Sequence, residues 1–447
     1  MHDAILQITI VLMGSLALFA ARYRTGTWMN PVSILISCLF VPLFFALLRL
    51  SSLQSSEWGY KTYVAMWTTI GAWLFFPTLV LIAKGRLLVK DSFRKDEWLI
   101  QTDEFRYCVR FFAIVVFFSY LAGNYVQAKT ILPILKPEIA YQLHTEFPQI
   151  IRFFARANPA AVILLYLLYW KNRKPFDLIL LLVIFFTPLS RLSRIDLTLG
   201  FVGLCVVFSF FPIFHWTKKR AILAILVIFA LLVGGTELGN LRTNRFGTYN
   251  VEYDSAIEWK PGIRGPANVL PITYGYFPLS FENFDRFVSN HNDTYMYGVN
   301  SFDWVFSGFI KLHWIPGISG LYRVNAKFYM PVSSAATVPT ALYPFYADFG
   351  SIGMAFPMIL YASIWIAFFY RSRKSFCCVM LFAVYSGAFA LSSFQAIIAA
   401  PILIQQIVEI FLLFWFARRL VFFNRRNLQE DINPTINKVN SNSLRNT

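Results

Sequence analysis

Long apolar runs separated by short polar loops dominate the pattern of the chain. A helix needs roughly 20 mostly apolar residues to cross the hydrocarbon core of a bilayer, and about eleven runs approach that length. The runs are 5–21, 32–48, 63–83, 107–125, 153–170, 176–189, 195–214, 221–235, 352–370, 376–394 and 396–416. This pattern predicts an all-α polytopic integral membrane protein with about eleven transmembrane helices.

The sequence divides into four parts, and the second of them is the longest polar segment of the chain. Residues 1–235 hold the first eight predicted helices, and residues 236–345 form a large loop with interfacial helices between the eighth and ninth spans. Residues 346–420 hold the last three helices, and residues 421–447 form a tail. The tail is polar and lacks an apolar period, so the sequence predicts that it is disordered.

Composition excludes a soluble enzyme and the charge distribution predicts an orientation. Only 14% of the residues are charged and 57% are hydrophobic, whereas soluble domains have roughly 25% charged residues to cover their surfaces. The formal net charge is +17, and its basic residues cluster in alternate loops. These are Arg22 and Arg24; residues 84–95; Lys171, Arg173 and Lys174; Lys218, Lys219 and Arg220; Arg371, Arg373 and Lys374; and Arg418, Arg419, Arg425 and Arg426.

Because short basic loops stay in the cytoplasm, this alternation places the N-terminus outside and the C-terminus inside. The long loop carries about eight basic and eight acidic residues, so the excess charge reports orientation and does not indicate nucleic-acid binding. The five cysteines lie in or beside predicted spans, and the five histidines are scattered. We therefore expect no disulfide, metal site or cofactor, and a multi-pass protein of a bacterial inner membrane with a periplasmic N-terminus.

The large loop is unusually rich in aromatic residues, for which two explanations remain open. One is an interfacial helix on the bilayer surface, for instance over residues 302–312. The other is a groove in which aromatic rings stack on the apolar faces of sugars. The aromatic residues expected to bind sugars are Trp259, Tyr274, Tyr276, Trp304, Trp314 and Tyr346.

Arginines at the external ends of predicted spans contradict the charge bias, so they are candidates for function. Arg152 and Arg156 begin the fifth span, Arg191 and Arg194 lie in the turn before the seventh, and Arg242 and Arg245 follow the eighth. Guanidinium groups bind phosphate oxygens in pairs, and a lipid pyrophosphate would lie at this depth. The alternative is that they snorkel or form structural pairs, such as Arg194 with Asp196.

A group at the beginning of the ninth span contains Thr340, Tyr346, Asp348-Phe349-Gly350 and Gly353. An aspartate in the first turn of a helix complements the helix dipole, and glycines permit close packing. A structural role is therefore sufficient for Asp348. No glycine-rich phosphate loop accompanies the Asp-Phe-Gly triplet, so it does not indicate a kinase.

These residues resemble the Wzy-type O-antigen polymerases, which join oligosaccharide repeat units. The resemblance covers most of the chain and rests on four features together with the architecture. They are Thr340 to Gly353, the turn Ser193-Arg194-Ile195-Asp196-Leu197, the sequence Arg152-Phe153-Phe154 before Pro159-Ala160, and the spacing of Arg264 and Gly275.

The resemblance implies a GT-C-like membrane fold and a hexosyltransferase-type activity. Such an enzyme moves a growing glycan from undecaprenyl pyrophosphate onto the next lipid-linked repeat unit in the periplasm during lipopolysaccharide synthesis. It implies partners that include the lipid-linked donor and acceptor, membrane lipid, and a chain-length regulator and flippase of the same pathway. The residues expected to bind pyrophosphate are Arg152, Arg191, Arg194, Arg242, Arg245 and Arg264, and the candidate bases are Asp254, Glu258, His291, His313 and Asp348.

Two alternatives to the polymerase remain open. An O-antigen ligase also has about a dozen spans, a large late external loop and arginines that bind pyrophosphate. A flippase for lipid-linked oligosaccharides, or another transporter, belongs to a different class and would show repeated halves and charges at the membrane midplane. We find no repeat in the sequence, and a transporter has little need of so large a loop.

Overall fold

The computed structural model describes residues 2–84, 95–135, 148–191, 193–213, 260, 278–309 and 340–443, and every regular element among them is helical. The larger helices are α1 (His2–Thr25), α2 (Pro31–Leu47), α3 (Tyr60–Ala83), α4 (Asp103–Ala128), α5 (Gln149–Arg156), α6 (Asn158–Asn172), α7 (Pro175–Phe186), α8 (Arg194–Phe210), α9 (Pro278–Asn290), α10 (Leu342–Gly353), α11 (Ala355–Arg371), α12 (Phe376–Ala390) and α13 (Pro401–Ser443).

The apolar helices indicate a membrane protein. Within the described residues, α1, α3 and α4 are long and apolar enough to cross a bilayer, and the bent pairs α5–α6 and α10–α11 raise the number to five if each pair is one span. Helices α2, α8 and α12 are apolar but shorter. The all-helical fold is thus confirmed in this part of the chain. The number of eleven spans stays a prediction, and the eighth predicted span, 221–235, lies outside the described residues.

Prolines shape the second and third predicted spans. Residues Ile36–Phe40 in α2 and Ile70–Phe75 in α3 form π-helical turns, each ending two residues before a proline. Pro42 and Pro77 cannot donate a backbone hydrogen bond, and their rings would clash with the carbonyl four residues earlier. A widened π turn relieves this clash, so both helices continue through their prolines.

Two predicted spans are broken. The fifth bends by 44° between α5 and α6, at Ala157, because Pro159 removes a backbone donor and disfavours helical geometry before it. The ninth predicted span begins earlier than the sequence indicates, since α10 starts at Leu342 and turns into α11 with a bend of 116°. Gly350 permits this bend with a backbone φ of 69° and ψ of −173°, a conformation that is essentially restricted to glycine.

Hydrogen bonds gather the ends of the helices into two opposite groups. At one end, which we call the Arg191 end, Asp3 contacts Arg49, and the start of α13 contacts α5. At the other, which we call the Asp96 end, the Asp96 carboxylate accepts hydrogen bonds from the backbone N–H groups of Phe376 (2.8 Å) and Cys377 (3.1 Å). The Asp96 end also joins Lys95 to Lys374 and Lys171 to Glu97, so it brings together residues from three of the basic loops.

Two segments differ from the sequence-based expectation. Helix α9 is buried, with Phe281, Phe284 and Phe287 having no exposed surface, so these rings belong to the packed interior rather than to a bilayer surface or a sugar groove. The backbone of α13 continues to Ser443, across the tail for which the sequence predicts disorder. At about 1.5 Å per residue this helix is longer than a bilayer is thick, so its polar part extends beyond the apolar part.

Candidate functional site

Helix α5 presents two arginines at the Arg191 end. Arg152 and Arg156 are one helical turn apart; the first is half-buried and the second is exposed. Residues four apart lie on the same face of a helix, and the two positive charges repel each other. Arg156 also lies within electrostatic range of the Asp196 carboxylate at the start of α8. The turn between α7 and α8 therefore approaches the arginine pair of α5.

Arg191 is the third arginine of this group and ends the 3₁₀ turn Thr187–Arg191. Its Nε donates to Asn124 Oδ1, and its guanidinium lies 4.6 Å from the ring centre of Tyr120. Asn124 is buried and donates in turn to Ser190 Oγ at 2.8 Å. These contacts from α4 fix the orientation of Arg191. Burial lowers the pKa of this guanidinium, but an arginine stays protonated in proteins.

Asp196 is the acidic member of the group. Its Oδ2 accepts from Ser193 Oγ at 2.8 Å and from the Tyr120 hydroxyl at 3.3 Å. It also lies within electrostatic range of Arg191 and Arg156. Arg152 lies beside Arg156, so three guanidinium groups and one carboxylate come together here. Guanidinium groups bind phosphate and other oxyanions, so this site is suited to an anion. We call Arg152, Arg156, Arg191 and Asp196 the arginine cluster.

The structure thus brings together two of the three external arginine sets that the sequence singled out. The side chain of Arg194 lies outside the described part of the chain, so its predicted pairing with Asp196 stays a prediction. Arg242, Arg245 and Arg264 also lie outside it, as do the candidate bases Asp254, Glu258 and His313 and the aromatic residues Trp259, Tyr274, Tyr276 and Trp314.

Asp348, one of the two candidate bases that the structure describes, anchors a loop. Its Oδ1 accepts from the Asn300 backbone N–H at 3.2 Å and from Asn300 Nδ2 at 2.9 Å, while its Oδ2 accepts from the Ser301 backbone N–H. The residue has no exposed surface. These three donors hold Asn300 and Ser301 against α10. Asp348 lies in the middle of α10 and not in its first turn, so the expected role in complementing the helix dipole is wrong, and its structural role is to anchor this loop.

His291, the other described candidate base, is packed among aromatic rings. Its ring lies 5.5 Å from Tyr295, 5.2 Å from Phe287 and 5.7 Å from Tyr346, measured between ring centres. Its Nδ1 accepts from the Asp293 backbone N–H at 3.2 Å, so a neutral ring carries its proton on Nε2. Burial lowers the pKa of His291, which favours this neutral form near pH 7.

The two described residues of the predicted sugar site have different surroundings. Tyr346 has no exposed surface, and its ring packs edge-on against Phe284, Phe287 and His291. Its ring faces are therefore covered by protein in this packing. Trp304 is half-buried and donates from Nε1 to the Tyr361 hydroxyl at 3.0 Å. That hydroxyl donates to the Ser301 carbonyl at 2.6 Å, so Trp304 extends the network that Asp348 anchors.

The last predicted span contains a polar group that the sequence patterns above do not single out. Gln405, Gln406 and Glu409 lie on one face of α13, and the last two are buried, with 2% and 4% of their surface exposed. An acidic residue in an apolar span is costly and marks a site worth testing, so Glu409 was visible in the sequence. The sequence does not reveal that α13 lies beside the bend between α5 and α6.

The arrangement at the Arg191 end suits electrostatic binding of an anion at the edge of an apolar bundle. In the described ranges, no three His, Cys, Asp or Glu side chains come close enough to hold a metal ion.

Comparisons of the chain with models of protein families, with curated proteins and with solved structures gave no match.

Proposed function

We propose that the protein is an O-antigen polymerase, a glycosyltransferase of the bacterial inner membrane that joins oligosaccharide repeat units linked to undecaprenyl pyrophosphate. The observation that carries the proposal is the arginine cluster, in which three guanidinium groups and one carboxylate come together at the end of an apolar helical bundle. The resemblance of the sequence motifs to those of the polymerases favours this reaction. The arginine cluster offers a binding site for the leaving group, the lipid pyrophosphate.

The chemistry requires stabilisation of a pyrophosphate. When the anomeric carbon–oxygen bond of the donor breaks, negative charge develops on the lipid pyrophosphate, and the acceptor hydroxyl loses a proton. Arg152, Arg156 and Arg191 would stabilise that charge at the membrane edge, where fixed positive groups are more effective than in water. Arg191 is already oriented by Asn124 and Tyr120, so little reorganisation would be needed on binding.

The same proposal gives the molecule an orientation. The Arg191 end faces the periplasm and the Asp96 end faces the cytoplasm, as the positive-inside rule predicts from the basic loops. The candidate bases for the proton of the acceptor hydroxyl stay Asp254, Glu258, His291, His313 and Asp348. The GT-C-like fold and the partnership with a flippase and a chain-length regulator belong to the proposal as well.

A deletion strain tests the reaction. Its surface lipopolysaccharide should carry a single repeat unit, because the ligase can still transfer one unit to the core. Loss of a ligase or a flippase would leave no unit at all. That result, or a ladder of normal length, would refute the polymerase.

A complementation series tests the arginine cluster. Arg191→Gln and Arg152→Gln should restore few or no long chains, since each removes one charge from the pyrophosphate site. Lys129→Asn is a matched control, because Lys129 is exposed at the end of α4 and its left-handed backbone, with a φ of 53°, suits asparagine. Chain lengths should be normal in this control. Normal ladders in both arginine variants at equal protein levels would refute the assignment of the cluster.

A further inference from the structure

The bend between α5 and α6 leaves backbone carbonyls that need donors. In a continuous helix the N–H of Ala157 would bond to the carbonyl of Phe153, but here it bonds to the carbonyl of Phe154 at 3.1 Å. Pro159 has no N–H to offer. In an apolar environment an unsatisfied carbonyl is costly, so neighbouring side chains must supply the missing donors.

Two glutamines of α13 donate to carbonyls at this bend, one of them the carbonyl of Phe153. Gln405 Nε2 donates to the carbonyl of Phe153, and Gln406 Nε2 donates to the carbonyl of Arg156 at 2.9 Å. Both acceptors belong to the last turn of α5, which carries Arg156 and follows the turn of Arg152. The last helix of the bundle is therefore hydrogen-bonded directly to the backbone of the helix that presents the arginine pair.

Glu409 completes this arrangement. Its Oε1 accepts from Gln405 Nε2 at 2.8 Å, so the two protons of that amide group are shared between Glu409 and Phe153. Oε2 of Glu409 has no hydrogen-bond partner among the described residues. The contact that the structure gives Glu409 is thus one accepted hydrogen bond, which an amide oxygen could accept equally well.

We propose that Gln405, Gln406 and Glu409 are positioning residues, which hold the end of α5 so that Arg152 and Arg156 face a pyrophosphate at the arginine cluster. They act through the backbone of α5 and do not touch the substrate. This inference rests on the proposed function for the identity of the ligand. The connection between α13 and α5 rests on the hydrogen bonds alone.

Kinetics of the reconstituted full-length protein test this positioning role. With the lipid-linked repeat unit extracted from the deletion strain, Gln406→Leu should raise KM by about tenfold, the effect of one hydrogen bond. It should also lower kcat, because the arginines that it displaces stabilise the charge that develops on the pyrophosphate. Glu409→Gln should resemble the wild type, because it keeps an acceptor for Gln405, and Glu409→Leu should raise KM. Asn424→Leu is the control on the same helix, since Asn424 bonds Glu104 at the Asp96 end.

Two outcomes would overturn the inference. If Glu409→Gln is as inactive as Glu409→Leu, the carboxyl group itself takes part in the chemistry. If Gln406→Leu leaves KM unchanged, the hydrogen bond to α5 does not position the arginines.

A spin label on α5 tests the connection without any activity assay. Ile150 is 69% exposed, so a label at Ile150→Cys, measured against the background of the five native cysteines, reports the mobility of α5. Gln406→Leu should increase that mobility, and Asn424→Leu should not. An unchanged spectrum in Gln406→Leu would overturn the connection. A wild-type protein that fails to polymerise, with the mobility change intact, would instead refute the proposed function.

Discussion

Arg49 Nη1 lies 3.2 Å from Glu282 Oε2, which joins the turn after α2 to the buried helix α9 across 233 positions of the chain. The same guanidinium bonds the Asp3 carboxylate at 3.1 Å and lies 4.4 Å from the ring centre of Trp58. Glu282 also accepts from Trp58 Nε1 at 2.9 Å. This buried network connects the N-terminal helix, the turn after α2 and the late polar segment.

Removing the arginine should destabilise the protein strongly. In Arg49→Met, Glu282 would stay buried without its counter-ion, which costs about 3 kcal/mol or more. The midpoint of thermal unfolding in detergent should fall accordingly. Lys61→Met is the matched control, because its ion pair with Asp293 is about half exposed on both sides, and such pairs contribute little. Equal effects of the two substitutions would contradict a special role for the Arg49 network.

Gly350→Ala should disrupt the bend between α10 and α11. A Cβ at this position would lie 2.8 Å from the Tyr295 hydroxyl oxygen, and the backbone φ of 69° is strained for alanine. Together these effects should destabilise the fold by about 2–3 kcal/mol. Gly14→Ala in α1 should be neutral or stabilising, since nothing lies within 4 Å of its added Cβ. Thermal unfolding of both variants measures the difference, and an unaffected Gly350→Ala protein would contradict a positive φ at the bend.

Asp348→Asn should destabilise the loop at residues 296–301. One of the two carboxylate oxygens becomes an NH₂ group, which would face a backbone N–H of Asn300 or Ser301 instead of accepting from it. Leaving such a buried donor unsatisfied costs about 1–3 kcal/mol. Faster proteolysis of this loop in membranes would reveal the change, with Ser363→Ala in α11 as a control. A variant that is inactive but as resistant as the wild type would instead indicate a role for Asp348 in the chemistry.

The buried His291 should make stability depend on pH. Burial lowers its pKa below the ordinary 6.5, so the unfolded chain binds the proton more tightly than the folded one. Stability is then complete above about pH 6.5 and decreases as the pH falls below it, until the folded-state pKa is reached. His291→Gln should reduce the decrease in the unfolding midpoint between about pH 7 and pH 5. Parallel curves for the two proteins would contradict a buried, neutral His291.

The arginines show how much of the candidate site can be predicted from the sequence. Two of the sets that were predicted to be external, found only because they oppose the charge bias, each have a member within electrostatic range of Asp196. Spacing along the chain could not reveal that Asn124 and Tyr120 of α4 orient Arg191, since those contacts depend on how helices pack. The aromatic residues of α9 illustrate the same limit, because composition cannot distinguish a ring that packs inside the bundle from one that faces a ligand.

By itself the sequence determined that the described chain is helical, where most of its apolar helices lie and which loops share an end, because these properties follow from local hydrophobicity and from the alternation of charge. Only the tertiary structure decided the bends at Ala157 and Gly350, the link between Arg49 and Glu282, and the contact of Gln406 with α5. The physical reason is that a buried polar group must find a partner wherever packing brings one near. Such partners are hundreds of residues away in the chain and leave no local pattern.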